Sequence, residues 1–107
     1  MVEYSLQLDT IFASLADPTR RDILTRLMTG ELSVGDIAAK YDISFAAISK
    51  HLNVLERAQL IAKRREGKKQ MVTLAPEALH SADEYLEQYK HIWEQRFNKL
   101  DALLKEV

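Results

Sequence analysis

Three helix-start signals follow one another closely: Asp17-Pro18-Thr19, Ser33-Val34-Gly35-Asp36 and Ser44. Each puts a side-chain acceptor where the first turn of a helix leaves backbone N–H groups unpaired. Pro18 suits the first helical position because the N–H it lacks would have no partner there. Asp36, three residues after Ser33, resembles a capping box with Asp in place of Glu. The first half of the chain is thereby confined to short helices. Apolar residues at three- and four-residue steps supply their buried stripes. They are Leu8, Ile11, Phe12 and Leu15 over about 4–16, then Ile23, Leu24, Leu27 and Met28 over about 18–29, which Gly30 can cap. Val34, Ile37 and Ala38 follow in a helix ending near Tyr41, and Ile48, Leu52 and Leu55 over 44–58.

Periodicity then changes. Residues 60–65 and 70–74 read as strands, with Glu66-Gly67-Lys68-Lys69 as the turn and Gly67 free to take a positive φ. Ala75-Pro76 ends the second strand and opens a helix from about 77 to 106, roughly 45 Å long at 1.5 Å per residue. The expected fold is mainly α: a winged helix-turn-helix with a two-stranded β-wing and a long C-terminal dimerisation helix. With 107 residues, one domain is expected. Within it, 33–58 forms the helix-turn-helix, 60–74 the wing, and 1–16 and 77–106 the dimerisation segments.

The chain has no cysteine, which excludes disulfides, thiolate metal sites and thiol redox switches. No apolar run approaches the ~20 residues that cross a bilayer. Residues 1–12 lack the basic start of a secretory signal. A cytoplasmic protein with no membrane partner is expected. No Gly-rich phosphate loop or nucleophile elbow is present, so an enzyme is not expected.

Residues 44–56, SFAAISKHLNVLE, pose a particular problem. Opposite the apolar stripe lie Ala46, Ser49, Lys50 and Asn53, a sparse face for a helix in water. A short helix, a tight turn and a second helix form the order of a helix-turn-helix, whose second helix enters the DNA major groove. Close approach excludes bulky side chains, and Ser, Asn and Lys supply hydrogen bonds. Ser44 and Phe45 stand at the leading end, where Phe45 can touch a thymine methyl. Net charge is −1, yet residues 43–70 carry seven basic and two acidic side chains, leaving −6 for the rest. Lys63, Arg64, Arg65, Lys68 and Lys69 crowd the wing, and such cations repel one another unless an anion is expected. Double-stranded DNA is the expected partner. Lys50 has a solvated alternative, and His51 is equally suited to an internal hydrogen bond or a phosphate contact.

The stretches LADPTRRDIL (15–24), SVGDIA (33–38) and ISKHLNVLE (48–56), followed by the basic wing, resemble the ArsR family of bacterial winged-helix repressors. The resemblance covers nearly the whole chain in order. It implies a dimeric regulator, often repressing its own operon, active on the bacterial nucleoid and released by an inducer that remains unknown here. Carried over by position, it assigns DNA contacts to Ser44, Phe45, Ala46, Ser49, Lys50 and His51, and to Arg64, Arg65, Lys68 and Lys69 on the wing; Asn53 joins them from the residue reading. A regulator controlled by a partner protein or by its own abundance is the alternative.

Along the last helix Leu79, Ala82, Leu86, Tyr89 and Trp93 step by three and four, and the stripe resumes at Leu100, Leu103 and Val107. Arg96 interrupts it beside Phe97, and Tyr85 and Ile92 widen it. So long an apolar seam points to a symmetric homodimer. The expected interface comprises Leu8, Phe12, Leu79, Leu86, Tyr89, Trp93, Phe97 and Leu100. The family's helix metal site is approached by His80, His91 and Glu94, but Ala78 replaces its Asp. Solvated or capping histidines, and no cofactor, are expected.

Overall fold

A computed structural model describes residues 2–105. Helices α1 (Val2–Leu15) and α2 (Pro18–Leu27) precede β1 (Leu32–Ser33), α3 (Val34–Ala39) and α4 (Phe45–Arg57). Strands β2 (Ile61–Glu66) and β3 (Lys69–Leu74) form the wing, and α5 (Pro76–Lys105) closes the chain. Val107 of the expected seam and Glu106 of the expected helix lie outside the described residues.

All three N-caps form as the sequence dictates. Asp17 accepts from the Arg20 N–H at 3.1 Å, Ser33 from Asp36 at 3.0 Å and Ser44 from Ala47 at 3.1 Å. Helices α2 and α3 stop about two residues earlier than expected, at Leu27 and Ala39. Met28, expected in the core, is instead the C-cap and 74% exposed. The chain must leave the helix there to reach Gly30, whose φ of 144° no side-chain-bearing residue adopts easily.

The wing supplies two strands of a three-stranded antiparallel sheet, order β1-β3-β2. The expected two-stranded ribbon forms, and β1 adds a short third strand at its base. Leu32 and Ser33 pair with Val72 and Met71. Two residues are too few to show a period, and their partner lies some forty positions on, so no local signal announces β1. The turn behaves as anticipated: Gly67 has φ 62° and Lys68 a negative φ, as in a type II′ hairpin.

Every element contributes to one core. Ile11, Ile23, Ile37, Ile48, Leu55, Leu60 and Val72 are wholly shielded from water. Each such side chain is worth ~1.5–3 kcal/mol of transfer free energy. The proximal turns of α5 add Ala78 and Ala82, after which the helix leaves the body, giving a long dimension of 64 Å.

Helix α4 ends in a Schellman motif. The Gln59 N–H donates to Glu56 O at 2.9 Å and the Leu60 N–H to Leu55 O at 3.0 Å. Gln59 thus holds φ 63°, where glycine is usual and a Cβ costs about 1 kcal/mol. Gln59→Gly should raise the urea unfolding midpoint at constant m-value, a gain of ~1 kcal/mol.

Candidate nucleic-acid interface

Helix α4 divides as its sequence requires. Ile48, Leu52 and Leu55 are buried, while Phe45 (61% exposed), Ala46, Lys50 and Asn53 face water and Ser49 is half-buried. The Ser44 hydroxyl is engaged at the N-cap. Lys50 has no side-chain partner among the described residues, whereas His51 turns inward. Its Nδ1 lies 3.1 Å from Arg20 Nη1. A guanidinium only donates, so Nδ1 is the acceptor of this contact and leaves Nε2 as the donor nitrogen of the ring. Asp17 Oδ2 stands 3.9 Å from the same nitrogen.

Arg20 is a central tie that the sequence reading missed. Its Nε donates to Ser14 O at 2.6 Å and its Nη2 to Ala13 O at 3.2 Å. One side chain thereby caps the C-terminus of α1, starts in the first turn of α2 and orients α4 through His51. Arg26 makes a similar tie, donating to Asp36 O and Ile37 O while its guanidinium stacks over the Tyr41 ring at 5.3 Å. Burial, reinforced by the Asp22 carboxylate, raises the Tyr41 pKa. Neither arginine has a sequence signal beyond its place in α2, Arg20 in the first turn and Arg26 in the last, because its partners are remote in the chain.

The five wing cations separate into two groups. Lys63, with its side chain only 12% exposed, donates to Asn53 Oδ1 at 2.8 Å and lies 3.4 Å from Glu56. Since an ammonium can only donate, the Asn53 carbonyl must face it, and the Asn53 NH2 is left for the outer side. Arg64 forms a two-pronged pair with Glu31: Nε donates to Oε2 at 3.0 Å and Nη2 to Oε1, while Glu66 lies 2.9 Å from Nη2. Glu31 first, then Glu66, raise the Arg64 pKa. Arg65, Lys68 and Lys69 have no ion pair or side-chain hydrogen bond among the described residues. Lys68 and Lys69 line one cleft of about 430 Å³ with Phe45 and the start of α3. The wing tip and the leading end of α4 thus flank a shared opening.

On the α5 side, Leu8 is buried within the protomer and Phe12 is half-exposed, meeting Tyr85 edge-on at 5.9 Å. Leu79, Leu86, Tyr89, Trp93, Phe97 and Leu100 are 37–62% exposed. Trp93 stacks on Phe97 at 5.9 Å. His80 pairs with Glu84 and His91 approaches Gln95. Eleven helical residues, ~16 Å, separate the two histidines, so His80, His91 and Glu94 of one chain cannot share an ion. No cluster of three metal-ligating side chains occurs among the described residues.

Comparison with known proteins gives a consistent picture. Residues 17–63 match the family model described as bacterial regulatory protein, arsR family. The transcriptional repressor SdpR of Bacillus subtilis is 43% identical over 60 residues, 56% of this chain and 67% of its own length. The crystal structure of the ArsR family transcriptional regulator RHA00566 superimposes with a TM-score of 0.78 at 31% identity, covering 84% of this chain and 93% of that one. The homodimeric winged helix-turn-helix DNA-binding domain Mb0332 of Mycobacterium bovis gives 0.63 at 30% identity, covering 80% and 82%.

Asp17 provides a pH signature for the joint beneath this surface. The Arg20 backbone N–H, aided by the charge of the Arg20 guanidinium, holds its carboxyl below the ordinary 3.8. A group depressed in the folded state stabilises fully above its unfolded pKa and loses that contribution as pH falls through the folded value. Asp17→Asn retains the cap and removes the charge. Its urea midpoint should fall below wild type at pH 7, and the gap should close as pH drops below 3.8.

Proposed function

Because the chain belongs to the arsR family of bacterial regulatory proteins, we propose that it is a homodimeric, sequence-specific DNA-binding repressor of its own or a neighbouring operon. It is a regulator and not an enzyme, as are its relatives and fold neighbours. The observation that carries the reading is the opening shared by α4 and the wing, with Phe45 on one side and the unpaired Lys68 and Lys69 on the other. Helix α4 enters the major groove and presents Ser44, Phe45, Ala46, Ser49, Lys50 and Asn53 to base edges and flanking phosphates. Arg65, Lys68 and Lys69 lie along the backbone or minor groove. They add affinity that is largely independent of sequence and falls with salt. His51 contributes through Nε2–H, the tautomer that Arg20 selects.

The dimer is formed by α1 and α5. Covering the exposed row from Leu86 to Leu104 removes a large apolar area from water, and self-complementary packing of such a face gives a two-fold axis. Two α4 helices then address half-sites about one DNA turn, ~34 Å, apart. The protein works in the cytoplasm, on the nucleoid when DNA-bound; no described helix is long and apolar enough to cross a membrane.

Fluorescence anisotropy on DNA from upstream of its gene, beside scrambled DNA at two salt concentrations, tests the reading. Tight, site-preferring, salt-sensitive binding is expected; absence of binding at both salts would sink it. Ser49→Ala or Asn53→Ala should weaken the specific site more than scrambled DNA, by ~1–3 kcal/mol for a lost base contact. Trp93→Glu with Phe97→Glu should turn a dimer into a monomer in sedimentation velocity and lower affinity for the two-half-site DNA. A variant that stays dimeric would remove α5 from the interface.

A further inference from the structure

The wing is three strands wide at its base and two strands wide at its tip. The β1–β3 ladder has only two rows, Leu32 with Val72 and Ser33 with Met71. Arg64 pairs with Met71, so it occupies the last row at which the sheet is three strands wide. Beyond it, Arg65 with Gln70, Glu66 with Lys69 and the Gly67-Lys68 turn stand as a bare two-stranded ribbon. Such ribbons have little stability of their own. The cations suited to DNA, Arg65, Lys68 and Lys69, all lie on that free part.

At this row Arg64 does not reach outward. It spans the sheet from β2, past β3, to Glu31 just before β1, and makes the forked contact with both carboxylate oxygens. Planar two-point pairing fixes direction as well as distance. Glu31 sits at the corner that leads through β1 into α3, the first helix of the DNA-binding pair. On the same ribbon Lys63 holds Asn53 and Glu56 of α4. The ribbon is therefore clamped to both halves of the helix-turn-helix, across 33 residues of sequence at Glu31 and 10 at Asn53.

We infer that Glu31 is a positioning residue for DNA binding, which locks the wing through Arg64 at the angle that lets Arg65, Lys68 and Lys69 meet phosphate while α4 lies in the groove. Arg64 is then an internal brace and not one of the cations that neutralise DNA. This deepens the proposed function and rests on it. The inference has an unusual sign. An acid near a polyanion ordinarily opposes binding, so removing Glu31 would be expected to help; a brace predicts that removing it harms.

The test is the dependence of DNA affinity on salt for the full chain, compared among wild type, Glu31→Gln, Arg64→Ala, their double variant and Lys68→Ala. The slope of log K against log salt reports the number of phosphates neutralised, about 0.9 for each. Lys68→Ala should lower the slope by about that amount. Glu31→Gln and Arg64→Ala should each weaken binding about fivefold with the wild-type slope, the scale of a partly exposed ion pair. The double variant should be no weaker than Arg64→Ala alone, because one contact is lost only once. Tighter binding by Glu31→Gln, with a reduced slope for Arg64→Ala, would make Arg64 a DNA anchor restrained by Glu31 and overturn the inference. Unchanged affinity in both single variants would overturn it as well. Failure of wild type to bind any DNA would instead remove the proposed function on which the inference rests.

Discussion

The burial of one stripe, Ile48, Leu52 and Leu55, organises this molecule. These side chains are almost wholly removed from water, and α4 packs through them against the rest of the core. Burying that face leaves only the opposite one available to a partner. A substitution that loosened the stripe would act twice, losing core free energy and tilting the outer face of α4. Leu→Ala changes at such sites cost ~2–5 kcal/mol, a large part of a small domain's stability.

Around this helix, charged groups act mainly as joints. Arg20, Arg26, Lys63 and Arg64 each link elements that hydrophobic burial alone would hold with less angular definition. Burial is non-directional, whereas a guanidinium fork or an ammonium on a carbonyl fixes orientation. The result is a division of labour among the basic side chains. Arg20, Arg26, Lys63 and Arg64 tie elements together, and Arg65, Lys68 and Lys69 toward the wing tip have no ion pair among the described residues. Net charge of the chain, −1, conceals this arrangement.

Much of the fold was legible. The caps at Asp17, Ser33 and Ser44 act within three residues, so their chemistry is visible in the order of residues alone. The long α5, the hairpin and its Gly67 turn follow from equally local rules. Met28 was misplaced in the core because periodicity does not say where a helix ends. Strand β1 was invisible because a two-residue strand exists only through its partner. Among the site residues, the sparse face of α4 was read directly from spacing, and its exposure matches that reading at Phe45, Ala46, Lys50 and Asn53.

Residue order by itself determined the helices, their caps, the buried stripes, the local excess of positive charge and the family resemblance, since each depends on neighbours within a turn or two or on a string of residue types. Only the tertiary structure decided which cations are committed. Lys63 and Arg64 look no different from Lys68 and Lys69 in a basic run. They differ because folding brings Asn53, Glu56 and Glu31 within hydrogen-bonding reach of the first pair and leaves the second in water. Ion pairs depend on distance in space, and a sequence records only distance along the chain.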